Sequence, residues 1–137
     1  MLRCEFIVHG PPLSHQTRNR TKLEAWRQRV RDAAAEHWGT APPSTDTLKI
    51  IVVWYHDGPS VRMDNDNLLK PIQDALIGLI YEDDRQLTDS VVRKTNIDGA
   101  FRIRGASLKL LEAFSRGKEF LYIQVEGSPD HTELPDG

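Results

Sequence analysis

Cysteine is almost absent from this 137-residue chain, where Cys4 stands alone. No internal disulfide can form, and no zinc site can be built on cysteines. A lone cysteine of this kind is expected to be a small buried hydrophobe. Long apolar runs are missing too. The longest, Ile50–Tyr55 and Leu76–Tyr81, fall far short of the ~20 residues that span a bilayer. Glu5 stands where a signal peptide would be apolar, so the expected setting is the cytoplasm, with no membrane partner. An excess of one charge is also lacking: 18 Lys and Arg face 20 Asp and Glu, for a net −2. On its face that argues against a protein coating nucleic acid with positive charge. The length suits one domain with its own core.

Apolar periodicity orders what is there. Leu2, Cys4, Phe6 and Val8 alternate with Arg3, Glu5, Ile7 and His9, a half-buried first strand ended by Gly10-Pro11-Pro12. Leu23, Trp26, Val30, Ala33, Ala34 and His37 recur at helical spacing through Trp38, so His37 is expected to pack on that stripe. Thr21 and Glu24 have the spacing of a capping box, and Gly39 ends the helix. Leu48–Tyr55 is apolar on both faces, as in a central covered strand. Residues 67–80 predict a second helix with Leu68, Ile72 and Leu76 inward and Pro71 in about its first turn. Leu87–Asn96 predicts a third strand, Ser107–Phe114 a short helix and Phe120–Glu126 a last strand. The expected fold is a small α/β (α+β) domain, residues 1–127, with a mixed sheet of about four strands packed with two main helices. Residues 128–137, acidic and nearly devoid of apolar side chains, are expected to be a disordered tail.

The chemistry gathers around the second helix. Asp64 and Asp66 precede it, and Glu82-Asp83-Asp84 follow it. Helix capping accounts for one aspartate in front, but the helix dipole disfavours acids behind. A solvated acidic loop is the plain alternative. At 100° per residue, Asn67, Lys70 and Asp74 share the face opposite the apolar stripe. Clustered carboxylates raise one another's pKa unless a cation neutralises them, and hard divalent ions take oxygen ligands. Carboxylates holding Mg²⁺, with a lysine beside them, suit phosphodiester cleavage. A calcium-binding EF-hand does not fit: its sixth and twelfth positions, counted from Asp64, are Leu69 and Ala75. No Gly-rich phosphate loop occurs.

Four parts of this stretch form a pattern: Asp64-x-Asp66-Asn67, Lys70 four residues after Asp66, Asp74-Ala75-Leu76, and Asp83-Asp84-x-Gln86. Together they resemble the RusA-like family of Holliday junction resolvases, across roughly residues 2–127. The resemblance implies a homodimeric endonuclease, dependent on Mg²⁺ with Mn²⁺ able to substitute. Its partner would be branched DNA, the four-way junction, and its setting recombination and repair. It implies Asp64, Asp66 and Asp84 as metal-binding catalytic aspartates, Asp83 as their neighbour, and Lys70 as the lysine needed for cleavage. Lys94 sits near where the family often has a further basic residue. Residues 106–117 are longer than in compact members and gain no role from the resemblance. A two-fold dimer suits a two-fold junction that needs two matched nicks. A non-cutting junction-binding protein and a nuclease for other branched DNA are the alternatives.

The placement of charge then matters more than its total. Residues 64–89 hold seven acids against Lys70 and Arg85, and the tail holds three acids with no Lys or Arg. The remainder carries 16 basic and 10 acidic residues. Within residues 1–35 the arginines, among them Arg18, Arg20, Arg27 and Arg31, are the expected phosphate contacts.

Overall fold

The computed structural model describes residues 3–58 and 62–137. Strand β1 (Arg3–His9) is followed by helix α1 (Arg20–Trp38), strand β2 (Leu48–His56) and helix α2 (Asn65–Leu76). A 3₁₀ turn (Asp84–Gln86) leads into β3 (Leu87–Asn96), then α3 (Leu108–Ser115) and β4 (Phe120–Gly127). The four strands form one mixed sheet in the order β1-β4-β2-β3. β4 runs antiparallel to both β1 and β2, while β2 and β3 are parallel. The α+β fold read from periodicity is therefore the observed one.

Each strand's alternation assigns its side chains to two unequal cores. Phe6 and Val8 of β1, Ile50 and Val52 of β2, and Leu121 and Ile123 of β4 point to one face. There they meet Leu23, Trp26 and Val30 of α1 and Leu68, Ile72 and Leu76 of α2. Val53, Phe120 and Tyr122 point the other way, where α3 adds Ala113, with Leu110 and Phe114 packed beside it. The Tyr55 ring stacks on Phe120 at 4.8 Å and meets Phe114 edge-on at 4.7 Å. Residues 106–117, which the resemblance left without a role, thus lie over the sheet's second face. Without them an aromatic cluster on β2 and β4 would face water.

Several local expectations are corrected. The first helix is capped by Asn19, whose side chain accepts from Lys22 N at 3.0 Å. The Thr21–Glu24 box does not form, and Glu24 instead accepts from Arg27. His37 is exposed and accepts a hydrogen bond from Lys109 rather than packing in the core. The second helix starts and stops earlier than expected. Its chain leaves the helix at Ile77, which is extended, and turns at Gly78, whose φ of 81° favours glycine.

Pro71 is the seventh residue of α2, inside the helix rather than in its first turn. A proline there gives no N–H to the carbonyl four residues earlier, that of Asn67. His15 N donates to that carbonyl at 2.9 Å instead. The defect in the helix is therefore the docking point of the loop between β1 and α1. Beyond β4, Ser128 N donates to Thr47 O at 3.1 Å, and His131 meets Asp89 at 2.7 Å. No described helix is long and apolar enough to cross a membrane.

Cys4 lies at 1% exposure in the main core, and burial pushes its thiol up to about 11. A thiolate is the reactive form, so both access and ionisation are denied. Cys4 should therefore not react with an aromatic disulfide reagent at pH 8 in the folded protein, and should react stoichiometrically in urea. Prompt labelling without denaturant would contradict this packing.

Candidate active site

Asp64 is the N-cap of α2 but its side chain makes no capping hydrogen bond. Asp66 lies in the first turn, where the helix dipole favours a negative charge. Both carboxylates are exposed, and neither enters an ion pair among the described residues. Asp64 and Asn67 line an open cavity of about 370 Å³ with Ser14, Gln16, Trp54, Met63 and one cation, Arg62, which makes no ion pair with Asp64. Two devices hold its walls. Lys94 Nζ donates to Met63 O at 2.9 Å, fixing the residue before Asp64. The His15–Asn67 backbone bond sets Ser14 and Gln16 against the helix.

Lys70 is the hub of the second half. Its ammonium lies 2.9 Å from Asp74 and 3.3 Å from Asp84. The i,i+4 pair on one helix face is the one the helical spacing predicts. The hydrogen bond to Asp74 raises the Lys70 pKa most; desolvation opposes it, and Asp84 adds to the rise. Lys70 therefore stays a cation at neutral pH. Asp74 also faces Arg27 at 3.6 Å, so two cations share one carboxylate. Tyr81, fully buried beside this cluster, donates to Gln73 O at 2.6 Å. Its hydroxyl pKa is raised by burial first and then by the charges of Asp84 and Asp74.

Asp83 and Gln86 are occupied by the turn itself. Asp83 accepts from Arg85 N at 2.8 Å and from the Arg85 guanidinium at 2.9 Å. These bonds pull its carboxyl down to about 2. Gln86 Oε1 accepts from Glu82 N and Asp83 N, while its Nε2 donates to Ser44 O and Asp46 O, both at 2.8 Å. All its hydrogen-bonding capacity fastens the turn to the loop before β2.

Among the described residues, no three Asp, Glu, His or Cys side chains lie together as a ready metal-ligand set. Asp64 and Lys70 are six residues apart on α2, about 9 Å along its axis. Asp84 approaches Lys70 rather than the pair at the helix start. The donor chemistry at that start still suits a hard divalent ion: two exposed carboxylates that enter no ion pair among the described residues, with Asn67 and Ser14, and one arginine, Arg62, lining the cavity at Asp64.

The basic residues divide by what they touch. Arg18 and Arg20 are exposed at the start of α1. Arg27 is held by Glu24 and Asp74. Arg31 donates to Ala75 O at 3.0 Å and Ile77 O at 2.9 Å, completing carbonyls left open where α2 ends. Trp54 and the Ser14–Gln16 loop, which periodicity alone did not mark as lining a site, reach the cavity at Asp64. The signal for the loop was Pro71, whose missing N–H had to be answered from elsewhere.

Hydrogen bonds from a charged donor contribute about 1.5–3 kcal/mol each. Both bonds come from one Arg31 nitrogen and so are not fully additive, and Arg31→Gln should lower stability by about 2–4 kcal/mol, read from urea unfolding. An unchanged urea midpoint would mean that these two bonds do not hold the end of α2.

A family model described as endodeoxyribonuclease RusA matches residues 9–104. A search of curated proteins returns no match.

Proposed function

The chain belongs to the RusA endodeoxyribonuclease family, and on that premise we propose that it is a divalent-metal-dependent resolvase that cuts four-way DNA junctions by paired, symmetric nicks. It is an enzyme of DNA phosphodiester hydrolysis, and its family membership implies the junction as substrate. The observation that carries the finer reading is the split arrangement on α2. Asp64 and Asp66, neither of them in an ion pair among the described residues, stand at the helix start, and Lys70 is held by Asp74 and Asp84.

In this reading Asp64 and Asp66 would hold Mg²⁺ or Mn²⁺ together with Asp84, which here is paired with Lys70. Asp83 supports Asp84 by fixing the turn. The ion would supply Lewis acidity at the scissile phosphate and a more acidic bound water. Lys70, kept protonated by its carboxylate partners, acts as a fixed positive charge against the phosphate oxygens rather than as a base. The cavity at Asp64 receives the strand, with Ser14 and Gln16 as neutral hydrogen-bonding groups on its wall. Arg18, Arg20, Arg27 and Arg31 are the phosphate contacts expected from sequence, and Lys94 is the further DNA-binding residue that the resemblance implies. Arg18 and Arg20 remain the direct contacts, while Arg27, Arg31 and Lys94 act by holding α2 and its entry loop. Two copies related by a two-fold axis would present two such sites to opposite strands. Residues 1–127 form the nuclease unit, with the acidic segment 128–137 outside it. The role proposed is cytoplasmic DNA recombination and repair.

The test is a synthetic mobile four-way junction, with and without Mg²⁺. Wild type should place symmetric nicks in Mg²⁺ and none in EDTA. Asp66→Asn should lose nicking while binding the junction within a few-fold of wild type, and Lys70→Met should slow it by about 10²-fold. Full cutting by Asp66→Asn would overturn the metal-site assignment. A monomer on the junction, seen by sedimentation, would overturn the paired nicks.

A further inference from the structure

The cations of this protein differ in what holds them. Arg27, Lys70 and Arg85 are each neutralised by at least one carboxylate. Three others meet around His9, at the free edge of β1, and are held by neutral acceptors. Arg29 of α1 donates to His9 O. Arg116, at the end of α3, donates to His9 Nε2 at 3.0 Å. Lys109 of α3 donates to Glu5 O at 3.2 Å and to His37 Nδ1. No ion pair engages any of the three among the described residues. A cation satisfied by carbonyl and imidazole acceptors is fixed in position yet keeps its full charge.

The three converge because α1 and α3 approach β1 from opposite faces of the sheet. Between them lies an open cavity of about 410 Å³, lined by His9, His37, Lys109 and Arg116 together with the carboxylates of Glu36 and Glu112. Burial, then Arg116, then Arg29 lower the His9 pKa, which agrees with positive charge around that ring. The position also matters. His9 precedes Ser14, which lines the cavity at Asp64, by five residues, a span of at most about 17 Å. Glu119 braces the join, accepting from Gly10 N at 3.1 Å and from Trp54 Nε1 at 2.6 Å. The two places are therefore no farther apart than about half a turn of B-DNA.

We propose that Arg29, Lys109 and Arg116 form a second DNA-binding shelf that takes the phosphate backbone of one arm of the branched substrate beside the cutting site. The proposal rests on the nuclease reading above. Two of the three residues, Lys109 on α3 and Arg116 at its C-cap, lie beyond the family-matched span of residues 9–104. The contacts are with phosphates, so they position an arm without reading its sequence.

Binding of the full chain to a four-way junction and to a linear duplex, in EDTA over a range of salt, tests this. The double variant Lys109→Gln/Arg116→Gln should weaken binding to both DNAs and make the log–log salt slope shallower by about 1–2. Glu112→Lys adds a cation to the shelf, and should tighten binding more than Glu133→Lys, which makes the same charge change at the opposite sheet edge. Circular dichroism checks the fold of each variant, and Glu112→Lys stands as an independent arm should the double variant unfold. Unchanged affinity and slope in a folded double variant would overturn the shelf, as would equal effects of the two lysine substitutions. Wild type that binds neither DNA would overturn the nuclease reading itself and the shelf with it.

Discussion

Parallel pairing of β2 with β3 is the constraint from which the site follows. Two neighbouring strands that run the same way cannot be joined by a tight turn, so the chain must travel back over the sheet. α2 makes that return journey. Its start therefore lies past the end of β2, and its finish lies before the start of β3. The acids of the site are thereby divided between the entry to α2 and the turn that follows it. Lys70, midway along α2, reaches the second set at Asp84.

The main core fixes where α2 lies, but polar fasteners fix its ends. The helix is irregular in two places, at Pro71 and at Gly78. Each irregularity leaves carbonyls without an intrahelical donor, and each is answered by a specific group from another segment. His15 N serves one, and the Arg31 guanidinium serves the other. Gln86 does the same for the turn that carries Asp83 and Asp84. The apolar stripe alone would permit α2 to rock or slide; these bonds set its register against α1 and the loop after β1.

Where a residue's role depends on its own periodicity, the sequence is readable. The double-sided run Leu48–Tyr55 is the covered strand between β4 and β3, and the Lys70–Asp74 spacing is an ion pair. Roles decided by a partner far along the chain are hidden. Asn19 and Thr21 are both competent caps, and only the path of the preceding loop selects Asn19. Arg27 and Arg31 read as surface cations, yet α2 packs over their side of α1 and engages them. Sequence places Asp64, Asp66, Asp83 and Asp84 near one helix, but it does not reveal that Arg85 occupies Asp83 or that Lys70 draws Asp84 aside.

The proline in α2 also gives an unusual freedom to the loop that docks on it. What Asn67 needs from position 15 is a backbone N–H, and the imidazole of His15 plays no part in that bond. Nineteen of the twenty amino acids bring that group. The docking point is in effect a lock that reads the main chain. The side chain beside the groove is thus left open to variation, with proline the one residue the joint must refuse.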